Sequence, residues 1–145
     1  MTSHTIVCSS CGTANRIPAD KEGKAGRCGS CHARLAPLYT RPQPLNENNF
    51  DPFVNSYSGP VLAVFWAPWC PHCRAFLPTV QTMAERLAGK VAVVQINTQD
   101  NPQLARRFGV SGIPVTMLLR GGRVVAQLSG AQPAENVIAW FQRQQ

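Results

Sequence analysis

The stretch Phe65-Trp66-Ala67-Pro68-Trp69-Cys70-Pro71-His72-Cys73-Arg74 decides how the rest of the chain is read. Before it, Val61-Leu62-Ala63-Val64-Phe65-Trp66 is an unbroken apolar run of strand length, the mark of a buried strand. After it, Phe76, Leu77, Val80, Met83, Ala84 and Leu87 recur at helical spacing, which predicts a helix over 75–88. Pro71 suits a first helical turn, where its missing N–H has no partner to lose. Two cysteines separated by two residues therefore stand at a strand-to-helix junction. Free backbone N–H groups and the helix dipole favour a thiolate on the first of them, Cys70.

This arrangement predicts dithiol redox chemistry. Cys70, the more accessible sulfur, would attack a disulfide and form a mixed disulfide, and Cys73, one turn on, would attack that bond and release the product. Trp66 and Trp69 flank the pair. A shared zinc site is the rival reading, but the other four cysteines form a complete set of their own. A purely structural disulfide is the plainer alternative.

That other set is Cys8-x-x-Cys11 and Cys28-x-x-Cys31, with sixteen residues between the pairs, a spacing expected of one four-cysteine zinc ion. Gly12, Gly26 and Gly29 give backbone freedom for two tight turns. Arg16, Lys21, Lys24, Arg27 and Arg34 would offset the net negative charge of four thiolates on zinc. Two disulfides or a rubredoxin-like iron centre are the alternatives. About thirty residues bury little core, so this segment would lean on its metal to fold. His32 reads as a surface histidine and His4 as a mobile terminal residue.

The remaining elements follow in order. Residues 1–35 form the metal module, Pro-rich 36–45 a semi-rigid spacer, and 46–145 the main domain. Asn48-Asn49 precede Phe50, Phe53 and Val54, a short helix with an asparagine cap. Pro78 falls inside the long helix and should kink it. Val91–Ile96 is a strand, and Asn101-Pro102, a cap followed by proline at the first helical position, opens a short helix through Phe108. Val115–Leu119 and Arg123–Leu128, joined by Arg120-Gly121-Gly122, make a hairpin. Ala134–Phe141 closes the domain with Val137, Ile138 and Phe141 on one face.

Composition bounds the function. The 145 residues are 44% hydrophobic with no run of eighteen apolar residues, so no membrane span is expected. The first eight residues carry neither a charged nor an apolar leader region, which makes the cytoplasm the default location. There six cysteines point to metal or redox use. The net charge is +7. Residues 1–41 hold six Lys/Arg against two acids, a +4 that four zinc-bound thiolates would lower by two. Without basic-aromatic alternation or a groove-reading helix, this charge reads as a solvated surface favouring acidic partners, not as a nucleic-acid site.

Trp66-Ala67-Pro68-Trp69-Cys70, with Gly112-Ile113-Pro114-Val115-Thr116 some forty residues on, resembles the thioredoxin family from about residue 46 to the end. With the four-cysteine module ahead of it, nearly the whole chain resembles the bacterial zinc-containing thioredoxins of the thioredoxin-2 type. The resemblance implies an α/β fold, a mixed sheet flanked by helices. It also implies a cis Ile113-Pro114 bond facing the dithiol and a substrate groove formed by Trp69, Ile113 and Pro114. The implied activity is protein disulfide reduction, served by thioredoxin reductase, with one structural zinc ion and no organic cofactor.

Two departures qualify it. Pro71-His72 between the cysteines is similar to the oxidising enzymes of the DsbA type, and His72 would stabilise the Cys70 thiolate by hydrogen bond or charge. Val64 and Gln95 stand where the family carries a buried aspartate and a nearby lysine, which leaves proton transfer at the resolving thiol to water or another group. Two further functions therefore stay open: a disulfide oxidase or isomerase, and a redox-responsive module that releases zinc to bind or chaperone a partner.

Overall fold

A computed structural model of the chain describes residues 3–8, 10–18, 26–35, 40–57 and 59–144. Two antiparallel ribbons come first. Strand β1 (Ser3–Val7) pairs with β2 (Ala14–Pro18), and β3 (Gly26–Arg27) pairs with β4 (Arg34–Leu35). Each ribbon closes over one cysteine pair. There follow β5 (Gln43–Leu45), α1 (Phe50–Ser56), β6 (Val61–Trp66), α2 (Pro71–Arg86), β7 (Ala92–Asn97), α3 (Pro102–Arg107), β8 (Val115–Arg120), β9 (Arg123–Ser129) and α4 (Ala134–Arg143).

The apolar run that opens the reading is the centre of the molecule. β6 lies between β7, to which it is parallel, and β8, to which it is antiparallel, in a five-stranded mixed sheet of order β5-β7-β6-β8-β9. Because side chains alternate along a strand, β6 feeds two cores. Val61, Ala63 and Phe65 pack on one face with Phe50 and Val54 of α1 and Leu104 of α3. Leu62 and Val64 pack on the other with Phe76, Val80 and Met83 of α2 and Val137 and Phe141 of α4. A strand buried on both faces must be apolar throughout, which is why Val61–Phe65 shows no alternation. The β8–β9 hairpin turns at Gly121 and Gly122, whose φ of +59° and +80° suit a type I′ turn.

Several local expectations change. The spacer was expected to run through 45, but Gln43–Leu45 forms β5 and pairs in parallel with Val94–Ile96 of β7. Leu45 is buried there, and its proline sits on an edge strand, where a missing N–H is tolerated. Residues 36–39 of the spacer lie outside the described residues, as do residues 19–25 with Lys21 and Lys24. The long helix starts at Pro71 rather than at 75 and continues through Pro78 to Arg86.

Neither asparagine cap acts as a side-chain cap. Asn49 occupies the N-cap of α1 but accepts from the Asn46 N–H at 2.7 Å, inside the preceding turn. Asn101, at the N-cap of α3, accepts from the Glu47 N–H at 3.0 Å. The cap of α3 comes instead from Glu47, whose carboxylate accepts from the N–H groups of Gln103 (2.6 Å) and Leu104 (3.1 Å). A negative group on a first turn also complements the dipole. Arg107 bonds Asp51 at 3.0 Å and lies over the Phe50 and Phe108 rings, joining α1 to α3.

Candidate active site

β6 delivers the chain into Ala67–Trp69, and Cys70 becomes the N-cap of α2 with an extended backbone (φ −90°, ψ 114°). Its carbonyl accepts the Arg74 N–H at 3.1 Å, and its sulfur accepts the Cys73 N–H at 3.2 Å. Cys70 Sγ thus does what a serine or aspartate oxygen does at an ordinary N-cap, satisfying one of the orphan donors of the first turn. On its other side the sulfur faces the Ile113 carbonyl at 3.9 Å. The Ile113–Pro114 bond is cis.

The two thiols are free, and they differ in environment. Cys70 is 5% exposed and Cys73 1%. Burial, and then the adjacent Cys70 sulfur, push the Cys73 thiol up to about 11 from 9.0, against a lowering contact with the Ala67 backbone. Cys73 therefore holds its proton at neutral pH.

The expected groove residues separate. Ile113 and Pro114 line a groove of about 290 Å³ with Val110, Gly112, Ser129 and Gly130. Trp69 does not line it and stands 67% exposed. His72 is exposed on the first turn of α2, and among the described residues the donor to Cys70 Sγ is the Cys73 N–H, not His72. Val64 is fully buried and pairs in register with Gln95. Gln95 lines a cavity of about 730 Å³ with Trp66, Asn97 and Glu47, which includes neither dithiol cysteine. Glu47 at that cavity caps α3, and Asn101 accepts from the Glu47 N–H.

The four N-terminal sulfurs all lie within 4.8 Å of one another, with Cys8–Cys31 and Cys11–Cys28 at 3.6 Å. A tetrahedron of thiolates about 2.3 Å from zinc has edges of about 3.8 Å, so the donor set and its spacing fit that ion. The two cysteine turns repeat one pattern. Gly12 N–H bonds the Cys8 carbonyl and His32 N–H the Cys28 carbonyl, each at 2.9 Å. Both residues are left-handed, with φ +78° and +63°. Gly26 and Gly29, expected to free the second turn, are not at positive φ, and His32 fills the position that needs it. The sulfurs also condition one another. Backbone N–H groups of Cys31 and Ser30 bring Cys28 down to about 6. Cys31, despite a lowering contact with Ala33, is pushed up to about 11 by Cys11 and Cys8. Four thiolates at this spacing would need a cation to offset their repulsion.

Comparison with known proteins agrees with this geometry. Residues 41–143 match the Thioredoxin family model, and residues 7–33 match the model described as Thioredoxin 2, N-terminal, a zinc ribbon. The chain belongs to the thioredoxin family. Thioredoxin C-3 of Corynebacterium nephridii is 37% identical over 139 residues, covering 96% of this chain and 94% of that protein. Thioredoxin of Alicyclobacillus acidocaldarius is 41% identical over 95 residues, 66% of this chain and 90% of that one. Thioredoxin 1 of Nostoc sp. is 40% identical over 89 residues, 61% and 83%. The chain is a zinc-ribbon thioredoxin and a thiol-disulfide oxidoreductase, and the oxidase and zinc-releasing alternatives are not favoured. No helix among the described residues is long and apolar enough to cross a membrane.

The buried Cys73 thiol makes stability depend on pH. Its proton is held up to about pH 11 when folded but only to 9.0 when unfolded, so its contribution is complete below pH 9 and is lost as pH rises towards 11. Urea unfolding of the reduced protein is expected to show a fall of up to about 2–3 kcal/mol across that window. Cys73→Ala should remove this part of the slope; an unchanged slope contradicts the assignment.

Proposed function

We propose that Cys70 is the attacking sulfur and Cys73 the resolving one in the reduction of protein disulfides. The observation carrying this is the Cys73 N–H bond to Cys70 Sγ at 3.2 Å, on a sulfur at a helix N-cap beside a fully buried partner. That donor and the dipole favour negative charge on Cys70 as it attacks or leaves. The Cys70 thiolate attacks one sulfur of the substrate disulfide, a Cys70–substrate bond forms, and the first substrate thiolate departs. Cys73 then attacks Cys70 Sγ, closing the Cys70–Cys73 disulfide and releasing the second thiolate. Two electrons pass from dithiol to substrate.

Ile113 and Pro114 support a site for an extended substrate segment, since the Ile113 carbonyl already faces Cys70. Exposed Trp69 offers an apolar contact beside it. His72 would act on Cys70 by positive charge at the first turn, making the couple more oxidising than a Gly-Pro pair, in the direction of the DsbA type. Regeneration of the dithiol falls to a thioredoxin reductase. A dithiol that works from its reduced form suits a reducing compartment, and we place the protein in the cytoplasm.

Cys8, Cys11, Cys28 and Cys31 would hold one structural zinc ion. Four thiolates leave no open position, so the ion would supply folding energy to residues 1–35 and no chemistry. The thioredoxin unit is then residues 46–145 extended by the β5 strand.

Insulin reduction with dithiothreitol tests the dithiol. Cys70→Ser should abolish the acceleration, and full activity in that variant would remove Cys70 from the mechanism. Zinc chelation gives a second test. One ion per chain should be released with loss of circular-dichroism signal from the ribbon, while insulin reduction by the dithiol persists. Zinc-free protein with an intact ribbon would contradict the structural role.

A further inference from the structure

Thr116 is the exception in the layer beneath the dithiol helix. It is 1% exposed, and its Oγ1 has no hydrogen-bond partner among the described residues. Leaving a buried hydroxyl unpaired costs free energy, and such a group usually marks a missing water or a functional demand. Its neighbours Val115 and Met117 pack on the α1/α3 face, so alternation turns Thr116 to the other face with Leu118. There it is directly opposite Val64 on β6 and Leu128 on β9. Val64 and Leu118 pack against Phe76 and Val80 of α2, the helix whose first turn carries Cys73.

The resolving step asks something of this layer. Cys73 is buried and protonated at neutral pH, yet its sulfur must shed that proton to attack. β6, β9, α2 and α4 contribute Val64, Leu128, Phe76, Val80 and Val137 on this face. Cys73 is buried one and two turns before Phe76 and Val80, on the same face of α2, while His72 and Arg74 are exposed on the first turn. Among the described residues, no carboxylate is buried in this apolar layer. The Thr116 hydroxyl can both donate and accept, and a buried water needs at least two polar partners, of which Thr116 and the Cys73 sulfur would be the pair on this face.

We propose that Thr116 is a positioning residue for the resolving step, holding a buried water that takes the Cys73 proton and passes it towards solvent. The proposal rests on the dithiol reading above. In the step, the Cys73 S–H bond breaks and its proton goes to water. The Cys73 sulfur forms a bond to Cys70 Sγ, and the Cys70–substrate S–S bond breaks. The substrate sulfur leaves as a thiolate and takes a proton from solvent. The dithiol is oxidised by two electrons, and the substrate disulfide is reduced.

The test uses the full zinc-loaded chain and Ellman's reagent in stopped flow, with Cys70→Ser giving the background from other thiols. A first thionitrobenzoate is released when Cys70 attacks, and a second when Cys73 resolves the mixed disulfide. Thr116→Val keeps the shape and removes the hydroxyl. It should leave the first phase unchanged, slow the second roughly tenfold and move its pH midpoint upward. Thr116→Ser should keep the second phase within about twofold of the parent. A valine variant with the parent's second phase and pH midpoint overturns the proposal, and so does a serine variant as slow as valine. A parent chain with no second phase overturns the dithiol reading itself, a result distinguishable from either.

Discussion

The hydrogen bond from the Cys73 N–H to Cys70 Sγ ties the fold to the chemistry. A sulfur can serve as helix cap where its residue sits at the N-cap with an extended backbone. The buried β6 strand ends at Trp66, and the short turn Ala67–Trp69 sets Cys70 in that position ahead of Pro71 at the first turn. The same bond links the two thiols electronically. The donor that favours negative charge on Cys70 belongs to the residue whose own sulfur is buried and holds its proton. In the proposed mechanism, that one backbone group helps to set which sulfur acts first.

The sheet holds this junction in place. β6 is central, hydrogen-bonded on both sides and buried on both faces, so the end that carries the dithiol cannot drift without disturbing both cores. β8 pairs with β6 and begins immediately after cis-Pro114, which brings the Ile113 carbonyl to Cys70 from 43 residues away. The ribbon at the N-terminus follows a different logic. Cys8 and Cys28 are its described buried core, with Ile6 and Ala33 packed on them, too little apolar area to hold thirty residues without a metal.

Much of this was legible in the sequence because the signals are local. A dithiol between an apolar run and a helical repeat, and two Cys-x-x-Cys turns at metal spacing, need no distant partner to be recognised. What escaped notice depends on residues far apart in the chain. β5 is three residues with a proline, and its strand character comes from pairing with Val94–Ile96. The cap of α3 comes from Glu47, 56 residues before Gln103, so the asparagine beside the helix looked like the cap and is not. His32 at φ +63° adopts a conformation uncommon outside glycine, and the fold of the second cysteine turn demands it. Thr116 sits in a run that reads as ordinary core, and its lack of a partner emerges only when both neighbouring strands are in register.

The central claim, that Cys70 and Cys73 cycle as one redox couple at this helix start, is tested most directly by the reduction potential of the pair. Equilibration of the zinc-loaded chain with glutathione, quenching with an alkylating agent and peptide mapping would give it. The account predicts a two-electron couple confined to Cys70 and Cys73, with a midpoint between about −270 mV, the value for thioredoxin, and about −120 mV, that for DsbA. Thiols that stay free at oxidising ratios, a disulfide drawing on another cysteine, or a midpoint at or below about −270 mV would contradict it.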